Sequence, residues 1–360
     1  MNDSWNPTVA ESSHLANDLG MALYGAISLA CLRTHGQDAA AAIESRGGRY
    51  HQATHFLPGL EKLGLWAEPT DAIRCAKYHY LSNALAGLDM EYVEETPRKV
   101  WIRYRAPYWT FDSQLLPSTA LAALKPSFSE AGFRAWHGNN GAVLGNPRLA
   151  YVQTQNAADG DPWDGGYFIE YDHDLAPDMT YQRRPGEWGP PFDRARAPAL
   201  SADWDSPERR VRSLRNYGVN FLASKLLITV EILGAKDAAD VVAHAYAITL
   251  VQRNKLLLKA LGMPDVSTPE RAATLFARLQ QAFGDEAIVE STGDTALLRQ
   301  PTARLLRSIG GLPSEIDEAI TRGWQALLRL CNMSLRVRLL RSMNAGDDIF
   351  EWEFSTSITS

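Results

Sequence analysis

The chain is poor in cysteine and has no long apolar run, and both shortages limit what it can be. It has only 3 cysteines in 360 residues, so a disulfide framework is not expected and a reducing compartment is favoured. The longest apolar stretch, residues 19–32, is too short to span a bilayer, and no basic residue precedes Arg33 as a signal peptide would require. We therefore expect a cytoplasmic protein with no membrane partner.

An excess of basic residues is also missing. The formal net charge is −6, and 22% of the residues are charged against 45% that are hydrophobic. Nucleic-acid binders normally carry a basic face, so nucleic acid is not an expected partner, and the composition is that of an ordinary globular protein. The length suits two domains of roughly 150 to 180 residues each.

What the sequence does contain is a long internal repeat. Gly36 and Gly64 bracket a helical stretch that recurs 198 residues later between Gly234 and Gly262. Each copy continues through a hairpin signal, with Pro97-Arg98 and Gly293-Asp294 as the turns, and ends on a Gly-Asp pair and an aromatic strand. Two copies of this length indicate two related domains, not an array of short modules.

The predicted fold class is therefore α+β, with two tandem related domains that are each a helical bundle on a small antiparallel sheet. We expect a first helix from Leu15 to Leu32 capped by Ser12-Ser13, and a helix in each copy near residues 71–86 and 269–283. A long helix is expected near residues 127–136 and 313–331. The predicted domains are residues 1–175 and 216–360, joined by an aromatic, proline-rich lid or linker over residues 176–215.

The strand that closes each copy resembles the L-2-amino-thiazoline-4-carboxylic acid hydrolase family. The matching residues are Asn146-Pro147-Arg148-Leu149, Thr154, Gly160-Asp161 and Phe168-Ile169-Glu170-Tyr171, with Gly346-Asp347-Asp348 and Phe350-Glu351-Trp352-Glu353-Phe354 in the second copy. The related 4-vinyl reductase ligand-binding domains share this ending. The resemblance implies a hydrolase that opens a C–N bond of a small cyclic amidine-like substrate, or a domain that encloses a small ligand.

Four residues of the first copy are candidates for chemistry because the second copy has replaced them. His51 and His55 lie one helical turn apart, and so do Cys75 and His79 on the next helix, which lets their side chains converge. The second copy has instead Thr249, Arg253, Ala272 and Phe276. The exchange of core residues for polar ones predicts a cavity in the first copy. A one-residue shift in the alignment would place Tyr80, in place of His79, opposite Phe276.

Further candidates surround the first hairpin and the helix that follows it. Glu95, which Ser291 replaces in the second copy, is placed to activate water, whereas the shared Glu94 and Glu290 are expected to pair with Arg103 and Arg299. Trp101, Tyr104 and Trp109 form an aromatic wall suited to a flat substrate. A polar, glycine-rich turn at residues 136–141 is expected to end the helix, where His137, Asn139 and Asn140 can donate hydrogen bonds to an oxyanion.

These candidates leave several functions open. As a hydrolase, the first copy would attack with water or Cys75, and a histidine would move the proton. The alternatives are a sensor that binds an aromatic or hydrophobic ligand without turnover, and a structural subunit. The sequence is compatible with a divalent metal bound by the histidines and equally with the absence of any cofactor. A small molecule is the expected partner, and a homo-oligomer is compatible with the sequence.

Overall fold

The computed structural model describes residues 7–105, 126–202, 204–307 and 309–356. It confirms the predicted α+β class, with helices packed on two antiparallel sheets. The chain divides into two compact units: unit I is Gln37–Ser213, and unit II comprises the described residues of Met1–Gly36 and Leu214–Ser360. The units differ from the sequence repeats, because residues before Gly36 group with the second repeat and residues 176–213 with the first.

The first helix, α1, runs over Val9–Lys62 and is interrupted at Gly36, where φ is 84°. A positive φ is strained for any residue with a Cβ atom, so glycine allows the break. The expected cap at Ser12-Ser13 is wrong, because both residues lie inside the helix. Thr8 caps it: the Thr8 hydroxyl accepts from the Glu11 N–H at 3.2 Å, and the Glu11 carboxylate accepts from the Thr8 N–H at 2.8 Å.

Unit I contains a five-stranded sheet in the order β1-β2-β4-β3-β5, in which only the β3–β5 pair is parallel. Helix α2 packs on one face, against β1, β2 and β4. Its elements beyond α1 are α2 Asp71–Leu85, β1 Met90–Thr96, β2 Lys99–Arg105, α3 Pro126–Ser129, α4 Ala131–Trp136, α5 Asn140–Leu144, β3 Leu149–Gln155, β4 Trp163–Glu170 and β5 Tyr181–Arg183.

Unit II repeats this topology with four strands in the order β6-β7-β9-β8. Helix α9 packs on the sheet, and α11 packs along α7. Its elements are the part of α1 before Gly36, α6 Pro207–Leu233 from Leu214 onward, α7 Ala235–Gln252, α8 Asn254–Ala260, α9 Pro269–Phe283, β6 Ile288–Ser291, β7 Thr295–Gln300, α10 Arg304–Arg307, α11 Ser314–Cys331, β8 Leu335–Arg341 and β9 Phe350–Thr356.

Inside unit II the first helix crosses α6 at very short range. A Cβ atom added to Gly20 would lie 2.7 Å from the Gly218 carbonyl oxygen, and one added to Gly218 would lie 2.6 Å from the Asn17 Cα atom. Next to this crossing, the buried Lys225 ammonium donates to the Ser28 hydroxyl at 3.0 Å and lies 3.7 Å from the Tyr24 ring centroid. The first helix of the chain is thus a core element of the unit that holds the second repeat.

Two local expectations are corrected in unit I. The long helix expected near residues 127–136 is instead two short helices, α3 and α4. Helix α4 ends at Trp136, where the polar turn was expected, and a 3-10 turn at His137–Asn139 then leads into α5, which stops at Gly145 with φ of 69°. Arg103 pairs with Glu91 at 2.6 Å and not with Glu94, since alternation places Glu94 on the other face of the sheet. In unit II the expected pair of Glu290 and Arg299 is confirmed at 2.7 Å.

Part of the segment after β5 lies on the sheet face opposite α2. The Glu187 carboxylate accepts from Lys99 Nζ at 3.1 Å and from the Tyr167 hydroxyl at 3.0 Å, and the Pro190 carbonyl accepts from Arg103 at 2.7 Å. This stretch is a strap over the outer face of the sheet.

Helix α1 meets the length and composition of a membrane span, although 72% of its most apolar window is buried in the fold. Core helices of soluble proteins meet the same test, so the match is weak.

Candidate functional site

Five of the predicted site residues meet in the core of unit I. Cys75 and His79 project from α2, Tyr104 from β2, and His137 and Asn140 from the turn after α4, and all five side chains are buried. The His79 and His137 rings stack with centroids 4.1 Å apart. The Tyr104 hydroxyl lies 2.8 Å from His137 Nε2, and Asn140 Nδ2 lies 3.1 Å from His79 Nε2. The comparison of the two copies within the sequence therefore identified residues that are neighbours in space.

Gln52, which the sequence reasoning missed, links these residues to α1. Its amide nitrogen donates to Asn140 Oδ1 at 2.7 Å, and its amide oxygen accepts from Asn139 Nδ2 at 2.5 Å. It lies between His51 and His55 in the sequence, and the 2% exposure of its side chain could not be read from that position. The result is a chain of buried amides that holds the 137–140 turn against α1.

The two central histidines are neutral at physiological pH. Burial lowers the pKa of His79 to about 3, and burial followed by the neighbouring His79 lowers the pKa of His137 well below its usual value. Burial also lowers the pKa of His55. A neutral imidazole can accept or relay a proton, but it carries no positive charge that could attract an anion. Charge-based binding of an anion by these two rings is therefore not expected.

Cys75 has no exposed surface, and burial raises the pKa of its thiol. The thiolate is the reactive form of cysteine, so a thiol that stays protonated in an apolar core is a poor nucleophile. Cys75 belongs instead to a cluster of buried apolar side chains that includes Phe56, Tyr78 and Phe168. Its surroundings therefore favour a packing role over a chemical one.

Aromatic rings occupy the space in which the sequence predicted a cavity. The Trp136 and Phe168 rings lie 5.6 Å from the His79 ring, which also stacks on His137. The second repeat shows the same arrangement with apolar rings, since Phe276 stacks on Trp324 at 4.2 Å and on Phe354 at 5.8 Å. His79, not Tyr80, is therefore the counterpart of Phe276, and His137 is the counterpart of Trp324.

Other predicted residues are not part of this cluster. Trp101 lies on the opposite face of the sheet, in a cluster with Val152 and Tyr167, and its indole N–H donates to Glu95 at 2.7 Å. Glu95 is exposed. His51 stacks on Trp136 with ring centroids 5.9 Å apart, and its ring is tilted by 30° to that of His55 with centroids 5.5 Å apart. Trp109 lies outside the described residues.

An open groove runs along the surface beside the 137–140 turn. It encloses about 1220 Å³, including space open to solvent, and Asn139 is the one predicted site residue among those that line it in the described part of the chain. Two arginines also line it, of which Arg49 is exposed and Arg134 lies 4.3 Å from the Tyr181 ring centroid. The groove offers amide and guanidinium donors to an anionic or amide-like group.

A second hollow lies in unit II, lined by residues of the second repeat and by Leu19 and Leu23 of the first helix. It encloses about 770 Å³ including its opening, and its wall is mainly leucine and aromatic side chains. The aromatic residues of the wall are Tyr246, Phe283, Trp324, Phe350 and Trp352, and the leucines are residues 19, 23, 222, 250, 279, 305, 306 and 312.

A few polar groups interrupt this apolar wall. Two are carboxyl groups: burial raises the pKa of Asp317 to about 6 and raises that of Asp285. The wall also includes Gln280 and Gln300, and no lysine, arginine or histidine among the residues described. Few, well-placed polar groups in an apolar hollow are typical of small-molecule sites. The sequence did not predict this cavity, because leucines in a wall and leucines in a packed core follow the same pattern.

Neither unit offers an evident metal site, since no three His, Cys, Asp or Glu side chains of the described residues come together in a suitable group. Comparison of the chain with protein-family models, curated proteins and solved structures finds no match to any of them.

Proposed function

We propose that the protein binds a small apolar or aromatic molecule in the unit II cavity. The observation that carries this proposal is the cavity itself, with five aromatic residues and eight leucines in its wall. Transfer of apolar surface out of water contributes about 25 cal/mol per Å², so a ligand of benzene size or larger gains several kcal/mol here. The resemblance of the closing strands to ligand-binding domains agrees with this function.

The proposal is tested by filling the cavity. The neutral fluorescent probe N-phenyl-1-naphthylamine is expected to bind the full-length protein with a rise in its emission. Leu250 lies in the cavity wall and is 1% exposed, so Leu250→Trp places an indole in the space that the probe needs. We expect at least a tenfold loss of affinity, about 1.4 kcal/mol.

The matched control is Leu256→Trp, because Leu256 is 66% exposed and is not part of the cavity wall. This variant should bind the probe like the parent protein. Absence of probe binding, or equal binding by both tryptophan variants with unchanged circular dichroism, would show that the cavity is not a ligand site.

A second candidate is hydrolysis of a cyclic amidine-like C–N bond in unit I, favoured by the groove beside Asn139. The buried His137 is the first residue of the 137–140 turn, and its Nδ1 atom has no hydrogen-bond partner among the described residues. Water would attack the amidine carbon, its proton would pass to the ring nitrogen that leaves as the C–N bond breaks, and Asn139 would donate to the developing negative charge.

Turnover of a panel of cyclic amidines that includes L-2-amino-thiazoline-4-carboxylate tests this candidate. Asn139→Ala is expected to lower kcat/KM at least tenfold, whereas His173→Ala, at an exposed position outside the groove, should leave it unchanged. A rate no higher than that of buffer alone rules the candidate out.

A further inference from the structure

Asp317 is a buried carboxyl group whose described partners are all neutral. It lines the unit II cavity, is 5% exposed, and accepts hydrogen bonds from the Ser342 hydroxyl and from Asn344 Nδ2, the latter at 2.8 Å. Within the described residues, no cationic side chain forms an ion pair with it. A buried carboxylate is costly unless a cation compensates it, and the raised pKa of Asp317 reflects that cost.

The first repeat has cations at the matching position. The counterparts His137 and Trp324 each follow an acidic residue by seven positions, so Glu130 corresponds to Asp317. Glu130 is 5% exposed and forms ion pairs with Arg183 at 3.0 Å and Arg134 at 3.1 Å.

Neither of these cations has a counterpart in the part of the second repeat that the structure describes. Arg183 belongs to β5, and the sheet described for unit II has no fifth strand. The position of Arg134 is occupied by Thr321, whose hydroxyl donates to the Asp317 backbone carbonyl at 2.8 Å. The second repeat has therefore kept a buried acid and lost the guanidinium groups that neutralise its counterpart.

The surroundings of Asp317 favour a cation from outside the chain. The Trp324 and Trp352 rings lie 4.8 Å apart, and both line the cavity. Aromatic faces attract a positively charged nitrogen. The other carboxyl group of the wall, Asp285, accepts from the Arg304 N–H at 2.7 Å and lies near the Arg304 and Arg307 charges, so its negative charge is already partly offset.

We propose that the ligand of this cavity is a hydrophobic amine, whose apolar body fills the hollow and whose ammonium group binds Asp317. The inference rests on the proposed function of unit II and names the chemical class of its ligand. The ammonium group would take the place that the Arg183 guanidinium has beside Glu130. Because Asp317 is fixed by Ser342 and Asn344, its carboxylate is held ready for this contact.

Two probes of the same shape test this inference in the full-length protein. 2-Phenylethylamine carries an ammonium group where propylbenzene carries a methyl group, and calorimetry or displacement of N-phenyl-1-naphthylamine gives both affinities. We expect the parent protein to bind the amine at least tenfold more tightly than the hydrocarbon. In Asp317→Asn, which keeps the size of the side chain, this ratio should fall at least tenfold.

The matched control is Glu318→Gln, which removes an exposed carboxylate beside Asp317 and should leave the ratio unchanged. Equal affinities for the two probes, or a ratio that Asp317→Asn does not change, would overturn the amine proposal while leaving ligand binding intact. A ratio that falls in Asp285→Asn instead would also overturn it. If neither probe binds, the proposed function itself fails.

Discussion

Unit I is expected to lose about 3 kcal/mol of its free energy of unfolding between pH 7.5 and pH 4.5 through His79 alone. The pKa of His79 is about 3 in the folded state because the ring is buried, against about 6.5 in an unfolded chain. Well above pH 6.5 the ring is neutral in both the folded and the unfolded state, so its titration does not change the free energy of unfolding. As the pH falls below 6.5, only the unfolded state takes up the proton, and stability falls by about 1.4 kcal/mol per pH unit until the folded pKa is reached.

Urea unfolding at several pH values, with His79→Phe beside the parent protein, measures this effect. Phenylalanine is the residue that the second repeat has at this position. The variant should be less stable at pH 7.5, because Asn140 loses its 3.1 Å contact with the imidazole, but its stability should depend much less on pH.

The difference between the two proteins is the informative quantity, because other groups titrate in the same range. Burial raises the pKa of Asp164 to about 7, which opposes the histidine effect. His35→Phe, at an exposed position, is the control and should follow the parent protein. An acid-induced loss that is as large in His79→Phe as in the parent would contradict the assignment of a buried, neutral His79.

Arg103→Met is expected to destabilise unit I by about 3 kcal/mol, because it removes the buried partner of the Glu91 carboxylate and leaves only the half-exposed Arg105 to compensate the charge. The side chains of Arg103 and Glu91 are 6% and 7% exposed and lie 2.6 Å apart. Arg103 also donates to the Pro190 carbonyl of the strap. Denaturant unfolding followed by tryptophan fluorescence gives the change.

Arg105→Met is a stringent control because Arg105 binds the same carboxylate at 2.7 Å, from a position that is 47% exposed. Exposed ion pairs contribute under about 1 kcal/mol, so this variant should lose little. The double variant Glu91→Leu with Arg103→Met should recover much of the loss, since it buries no unpaired charge. Equal losses in the two single arginine variants would mean that burial of this pair does not determine its energy.

The elements that the sequence predicted well are those whose signals are local. Helix α9 has its predicted bounds, with Thr268 capping it and Pro269 in its first turn, where a missing N–H costs nothing. Strand β9 buries Phe350, Trp352 and Phe354 on one face, as the alternation of its residues indicates.

The wrong local predictions, the cap of the first helix and the partner of Arg103, arose where two residues close in sequence could play the same role. Ser12-Ser13 is a good capping sequence, but Thr8 with Glu11 forms the complete reciprocal cap one turn earlier. In the first hairpin, Glu91 lies directly opposite Arg103, whereas Glu94 lies opposite Val100 and on the other face of the sheet. Glu94 was favoured because it recurs as Glu290 in the second copy, and that recurrence does not show which glutamate faces the arginine.

The candidate site was predicted only in part, because some of its contacts are local in sequence and others are not. Helical spacing brought Cys75 and His79 together correctly, because residues four apart share a helix face. Spacing does not show what fills the space opposite, and here the rings of Trp136, His137 and Phe168 do so. The cavity of unit II is assembled from several helices and strands that are distant in sequence, and only the fold brings them together.

The close crossing of Gly20 and Gly218 has a consequence for biosynthesis. The first helix is translated about two hundred residues before the surface against which it packs. Until then an apolar helix has no permanent partner, although all residues of unit I have already been translated. Such a delay exposes hydrophobic surface to aggregation and to chaperones, so nascent chains arrested before residue 214 should be held by a chaperone through the segment around residues 19–32.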